Sequence, residues 1–170
     1  GQVLQLQRYS VQVVVTFQDL NTLIGSSITN IENATAVHIR TELSKLQGAY
    51  NFSVDTNLVQ QSSANQRRRR LAPLAIYLDT SVAFRSLTTG IDAVSLVESA
   101  FDSDSKLATY LKLLKQSGEE AFSAVNFLSV EVKSGTTQGS NKNGGSSIYI
   151  IIGAAAGGAA VLLAPRAHQG

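Results

Sequence analysis

The fold is decided first by the stretch Tyr9-Ser10-Val11-Gln12-Val13-Val14-Val15-Thr16-Phe17. Its odd-numbered residues are all apolar or aromatic, whereas three of its four even-numbered residues are polar. Because the side chains of a strand point alternately to opposite faces, this pattern predicts a strand with one buried face. We therefore expect a sheet that is covered on one side and meets solvent on the other.

Helical spacing follows this strand. Apolar residues recur every three or four positions, which places them on one face of a helix: Ala36, Ile39, Leu43 and Leu46. The segment Thr29-Asn30-Ile31-Glu32 has the form of a capping box, in which the hydroxyl and the carboxylate bond to backbone amides of the first turn. With Gly48 as a stop signal, the pattern predicts a helix over about 29–47.

The rest of the first 133 residues continues this alternation of patterns. Tyr50–Val59 and Leu74–Phe84 predict two strands, joined by the polar connection Gln60–Arg70. Helical spacing returns over Asp92–Ser117, as one long helix or two short ones, with Asp92 as the N-terminal cap. Phe127–Lys133 is the last predicted strand.

The resulting order of elements is β-α-β-β-α-β. It predicts an α+β fold, a ferredoxin-like sandwich over residues 9–133 with its helices on one side of an antiparallel sheet. Residues 1–8 are predicted to form a linker or an edge strand. A domain of this length can form its own hydrophobic core without disulfides, and the chain contains no cysteine.

The apolar segment Ile148–Ala164 has no charged residue. As a helix its seventeen residues would be ~25 Å long, close to the ~30 Å hydrocarbon core of a bilayer. We predict a transmembrane helix over 148–164, preceded by a flexible Gly/Ser-rich linker over 134–147 and followed by a truncated tail over 165–170. The alternative is a buried, Gly/Ala-rich core helix. A lipid-anchor signal with its acceptor near Ser134-Gly135 is a third interpretation, and residues 165–170 argue against it.

Charge and composition restrict the function. The net charge is +2, and the four residues Arg67–Arg70 alone contribute +4, so the rest of the chain carries −2. Because the chain is not generally basic, we expect no nucleic-acid partner. The two histidines, His38 and His168, are far apart in sequence and predict no local metal pair. No catalytic, metal-binding or cofactor-binding residue is predicted, and we expect the chain not to be an enzyme.

A β-α-β-β-α-β domain followed by a short polar linker and an apolar span resembles the juxtamembrane SEA-like ectodomains of single-pass membrane proteins. The resemblance covers about residues 9–133. Members of that family often break their own chain at a Gly-Ser step between the second and third strands. Here that region reads Gln60-Gln61-Ser62-Ser63-Ala64-Asn65-Gln66, so the resemblance implies the fold but not the self-cleavage. The folded domain, the linker and the glycosylation sequons described below favour an extracellular or lumenal location.

The same connection continues as Arg67-Arg68-Arg69-Arg70-Leu71. Four adjacent guanidinium groups resist burial, so we expect them to be solvated. Such a loop is a candidate cleavage site for a processing protease, and Arg69-Arg70-Leu71 resembles the Arg-x-Leu processing site of diatom proteins. The alternatives are a solvated basic turn without a partner, and a soluble ferredoxin-like binding module whose arginine loop contacts an anionic polymer.

Two further motifs concern modification and pairing. Asn33-Ala34-Thr35 and Asn51-Phe52-Ser53 are acceptor sequences for N-glycosylation. Gly153 and Gly157 form a GxxxG pattern that would let two membrane helices approach closely and form a homodimer. The sequence thus favours a non-enzymatic cell-surface ectodomain held at the membrane by one helix, with an interaction or structural role.

Overall fold

The computed structural model describes residues 3–18, 20–63, 73–88, 90–125, 127–135, 148–152 and 160–161. It is an α+β fold with an antiparallel sheet, which confirms the predicted α+β class. The elements in chain order are β1 (Gln5–Phe17), α1 (Ser26–Leu43), β2 (Ala49–Ser63), β3 (Leu74–Ser86), α2 (Ala93–Glu98), α3 (Asp104–Gln116), α4 (Glu120–Ser123), β4 (Phe127–Ser134), β5 (Ile148–Ile152) and β6 (Ala160–Val161).

The strands lie in the order β2-β3-β1-β4-β5-β6, and each neighbouring pair is antiparallel. β1 is therefore a central strand, and it begins at Gln5, within the predicted N-terminal linker or edge strand. The sequence concealed this start because Gln7 is a polar residue on the buried side. Its amide nitrogen donates to the carbonyl oxygen of Thr88 at 2.5 Å, which satisfies the buried group.

The two faces of the sheet differ in what covers them. The covered face carries the odd-numbered side chains of β1 and the even-numbered ones of β3, and it forms the hydrophobic core with α1, α2 and α3. Val13, Val15 and Phe17 are fully buried there. The open face carries the alternate side chains of the same strands, most of which are exposed or half-buried. The predicted alternation in residues 9–17 is confirmed.

The predicted capping box of the first helix is wrong. α1 begins at Ser26, and its N-cap is Gly25, which makes no side-chain capping bond. The Glu32 carboxylate instead accepts the backbone N–H of Leu58 at 2.7 Å, beside an irregularity in the pairing of β2 with β3. The N-terminus of α1 is met by Glu119, which accepts hydrogen bonds from the hydroxyls of Ser26 and Ser27. A carboxylate is favourable at that end of a helix dipole.

The region predicted as one long helix or two short ones contains α2 and α3. Asp92 caps α2 by accepting the N–H of Val94, as predicted. Ser103 caps α3 in the same way through the N–H of Lys106. The two caps explain the break, since each side chain satisfies a backbone donor that a continuous helix would have bonded internally.

The C-terminal segment differs from the helix predicted over 148–164. Ile148–Ile152 is a strand that pairs with β4, from Glu131 to Phe127, and Ala160–Val161 pairs with β5 in turn. β-branched and aromatic residues favour extended backbone, and the edge of β4 offers unpaired backbone groups. None of the helices within the described ranges is long and apolar enough to cross a membrane. Most of the predicted linker and tail lies outside those ranges.

Candidate functional site

The open face of β1, β2 and β3 presents side chains in rows that the strand register defines. Leu6, Arg85 and Tyr50 form one row at the end of the sheet where β1 begins. Arg8, Ala83 and Ser53 form the next, followed by Ser10, Ser81 and Asp55, and then by Gln12, Asp79 and Asn57. Because directly opposed residues of a sheet are neighbours, these twelve residues form one continuous surface.

A shallow depression of about 220 Å³ lies in this surface. Its lining residues are Arg8, Tyr9, Ser10, Ser53, Asp55, Ser81, Val82 and Ala83. Pockets that enclose a small molecule usually measure about 300–1,000 Å³, so this depression suits part of a larger partner better than an enclosed substrate.

Two arginines lie near one end of the depression: Arg8 lines it, and Arg85 lies in the neighbouring row of the sheet. Arg8 and Arg85 are exposed and lie on the same face, diagonal to each other across β1 and β3. Diagonal neighbours of this kind are about 7–8 Å apart. Within the described ranges, neither guanidinium group makes an ion pair or a hydrogen bond. Both groups are exposed, and no described residue neutralises their charge.

Acidic groups lie further along the same face. Asp55 is exposed beside Ser81, and Asp79 accepts a hydrogen bond from the amide of Gln12 at 3.1 Å. Beyond them the ammonium group of Lys133 lies 5.9 Å from the centre of the Tyr77 ring, within the range of a cation–π contact. The open face is thus cationic near Arg8 and Arg85 and acidic toward its centre.

A second cluster of polar groups is buried between the helices. The ring nitrogen Nε2 of His38 lies 2.7 Å from the carbonyl oxygen of Ala100. Since a carbonyl only accepts, the neutral imidazole carries its proton on Nε2. The hydroxyls of Thr35 and Tyr110 are bonded to each other at 2.6 Å, and the rings of Phe101 and Tyr110 lie beside the imidazole.

This buried cluster stabilises the neutral forms of its residues. Burial lowers the pKa of His38, and the hydrogen bond to Ala100 only partly opposes that effect. Burial likewise raises the pKa of Tyr110 well above its usual range. His38 is 1% exposed and Tyr110 is fully buried, so no substrate could reach either one without an opening of the helical layer. We interpret the cluster as structural.

The asparagines of both glycosylation sequons are exposed, yet in each sequon one residue also has a structural role. Asn33 lies on α1, and the hydroxyl of its sequon partner Thr35 is buried against Tyr110. Asn51 has a φ of 59°, a left-handed backbone that asparagine tolerates better than most residues, at the irregular pairing near the start of β2. The sequons remain predictions.

The other predicted site residues lie outside the described ranges: Arg67, Arg68, Arg69, Arg70, Leu71, Gly153 and Gly157. The register places the ends of their connection, since Ser63 of β2 pairs with Leu74 of β3. This pair lies at the Leu74 end of β3, whereas Arg85 lies at the other end of that strand.

The sequence interpretation missed the open-face residues. The polar positions Arg8, Ser10 and Ser81 were visible as the solvent side of each alternation, but their grouping depends on the pairing of β1 with β3 and β2. Among the described residues, no group of three or more His, Cys, Asp or Glu could hold a metal ion. The comparisons with family models, curated proteins and solved structures found no match to the chain.

Proposed function

We propose that the chain is a non-enzymatic interaction domain at a cell surface, and that the open sheet face makes the contact. The observation that carries the proposal is the polar surface around Arg8, Ser81 and Asp55, whose charged and hydroxyl groups are exposed on a rigid sheet. Strands hold such groups in a fixed arrangement, which lowers the entropic cost of binding.

The finer fold assignment is part of the proposal. The order β2-β3-β1-β4, with α1 between β1 and β2 and the remaining helices between β3 and β4, supports a ferredoxin-like arrangement. That arrangement agrees with the SEA-like resemblance of residues 9–133. Such a domain at the membrane would be extracellular or lumenal.

Membrane attachment through residues 148–164 rests on their composition. The segment contains seven Ile, Val or Leu residues and no charge. Each such residue contributes about −0.3 to −0.6 kcal/mol to helix insertion, so the total favours the bilayer by only a few kcal/mol. In lipid a lone strand leaves its backbone groups unsatisfied, whereas a helix does not. We therefore propose that the segment pairs with β4 in water and becomes a helix in a bilayer, where Gly153 and Gly157 could support a homodimer.

Carbonate extraction tests this anchor. The chain would be expressed behind an added signal peptide in a eukaryotic host, beside an Ala156→Arg variant, which places the charge at the middle of residues 148–164. A central arginine costs about 2.5–3.5 kcal/mol in a membrane helix, enough to offset the gain from the apolar residues. We expect the unmodified chain to stay with the membranes and the variant to be released. Release of both proteins into the soluble fraction would contradict the anchor.

Processing within Arg67–Leu71 is a separate element of the proposal. Cleavage after Arg70 would leave β1, α1 and β2 on one fragment and β3 to β4 on the other. β3 pairs with both β1 and β2 over most of its length, so the two fragments would remain associated. A cut chain should therefore show two bands in denaturing gels and one species in gel filtration. Identical gel patterns for the unmodified chain and Arg70→Ala in a secretory host would remove the idea.

A soluble module that binds an anionic polymer through Arg67–Arg70 is the second candidate. The pairing of Ile148–Ile152 with β4 favours it, because that strand keeps the apolar segment with the domain. Binding through four arginines would fall steeply with salt concentration. Replacement of all four by alanine would abolish it if this candidate is right and leave it intact if it is wrong.

A further inference from the structure

Arg8 and Arg85, which make no ion pair with any described residue, lie beside groups that suit one class of ligand. Tyr50 is opposite Arg85 in the register, and the residue is 52% exposed. The hydroxyl of Ser81 has no hydrogen-bond partner within the described ranges, and Asp55 lies next to it on β2. The surface thus combines two cations, an exposed aromatic residue, a hydroxyl and a carboxylate on the three neighbouring strands β1, β2 and β3.

We propose that this face binds an acidic saccharide. The anionic group of one sugar would lie between Arg8 and Arg85, where two guanidinium groups can donate charge-assisted hydrogen bonds. Hydroxyl groups of the sugar would bond to Ser81 and to the acceptor oxygens of Asp55, and the apolar face of a ring would pack on Tyr50. The proposal names a partner for the interaction face of the proposed function, on which it rests, but it does not require membrane attachment.

Charge and shape disfavour other partners. Nucleic-acid binding relies on many cations along the backbone, and the described part of the open face carries only three, Arg8, Arg85 and Lys133. One anionic group of a sugar needs only the pair Arg8 and Arg85. A bound peptide usually adds a strand to a sheet edge or fills apolar pockets. The depression lies across three paired strands, and its lining includes three serines and an alanine.

The test is a titration of the ¹⁵N-labelled full chain with trigalacturonic acid, followed by two-dimensional NMR. We expect shifts in the backbone amides of residues 8, 10, 81, 83 and 85, and little change on α1 or α3. Arg8→Ala or Arg85→Ala should raise the dissociation constant of the trisaccharide about tenfold, because each removes a charge-assisted contact. The matched control is Arg40→Ala, which removes the same charge from an exposed position of α1 and should bind as the unmodified chain does.

Two further titrations show whether the site recognises a saccharide or any anion. The methyl ester of the same trisaccharide should bind poorly, since its carboxylates are neutral. Inorganic sulfate that reproduces all the shifts at equal charge concentration would reduce the site to a simple anion site and overturn the saccharide assignment. The proposal also fails if no amide shifts at ~10 mM trisaccharide, if Arg40→Ala weakens binding equally, or if binding depends on Arg67–Arg70. None of these results alters the outcome of the carbonate extraction.

Discussion

The two faces of one sheet are built from the same strands, yet they obey different constraints. On the covered face, Val13, Ile76 and Phe84 are buried against helices, and each side chain is limited by its neighbours in the core. On the open face, Arg8, Ser81 and many of their neighbours meet water. The difference separates two roles: the covered face sets the stability of the fold, and the open face is free to present binding groups.

The largest expected effect comes from a cavity in the covered face. Phe84 is 1% exposed and packs against the rings of Tyr9 and Phe52. Phe84→Ala should lower the free energy of unfolding by about 3–5 kcal/mol, as measured by urea denaturation. Phe52→Ala, at a half-buried position of the edge strand β2, is the control and should cost clearly less. Equal losses in the free energy of unfolding would contradict the deeper burial of Phe84 in the core.

A smaller effect is expected from the buried hydroxyl pair. Tyr110→Phe leaves the Thr35 hydroxyl buried without its partner, which should cost about 1–2 kcal/mol in the free energy of unfolding. Adding Thr35→Val removes the second hydroxyl as well, so the double variant should be no less stable than Tyr110→Phe alone. A double-mutant cycle with additive losses would show that the two hydroxyls do not interact.

The pH dependence of stability should report on His38. Its pKa is lowered in the folded state from 6.5, so the unfolded chain binds the proton first as the pH falls. The stability from the neutral imidazole is complete above pH 6.5 and is lost below it, by at most about 1.4 kcal/mol per pH unit. Glu42 opposes this loss, whereas Lys45 and Lys106 add to it.

His38→Gln is the matched variant, since its amide can still donate to Ala100. Between pH 5 and 6.5, where most carboxylates stay ionised, the free energy of unfolding should fall more steeply for the unmodified chain than for the variant. Parallel pH profiles in chemical denaturation would contradict the buried, neutral histidine.

The smallest effect on stability is expected on the open face. The double variant Arg8→Ala/Arg85→Ala removes two exposed guanidinium groups that make no ion pair with described residues. Its free energy of unfolding should change by less than about 0.5 kcal/mol. A loss comparable to that of Tyr110→Phe would show that these side chains support the fold and would erase the contrast between the faces.

The sequence allowed the covered face to be predicted better than the open one. Period-two alternation in residues 9–17 identified the buried side chains, because apolar residues at every second position mark the buried face of a strand. The capping box failed because Glu32 is bonded to Leu58, a partner distant in sequence. The grouping of Arg8 with Arg85 likewise depends on strand register, which the sequence does not state.

The C-terminal segment shows another limit of prediction from sequence, which is the effect of the environment. An isoleucine-rich run suits both an edge strand in water and a helix in lipid, and its composition alone does not choose between them. The structure has Ile148–Ile152 paired with β4. The membrane helix over 148–164 therefore remains a proposal that concerns a different environment.

Protection of a single cysteine tests most directly whether the open face is the binding face. The chain has no cysteine, so Ala83→Cys in the depression and Thr109→Cys on the exposed side of α3 each provide one reactive thiol. We predict that saturating trigalacturonic acid slows the reaction of a maleimide with Cys at position 83 several-fold and leaves the rate at position 109 unchanged. Equal rates with and without the saccharide at position 83, or equal slowing at both positions, would contradict the account.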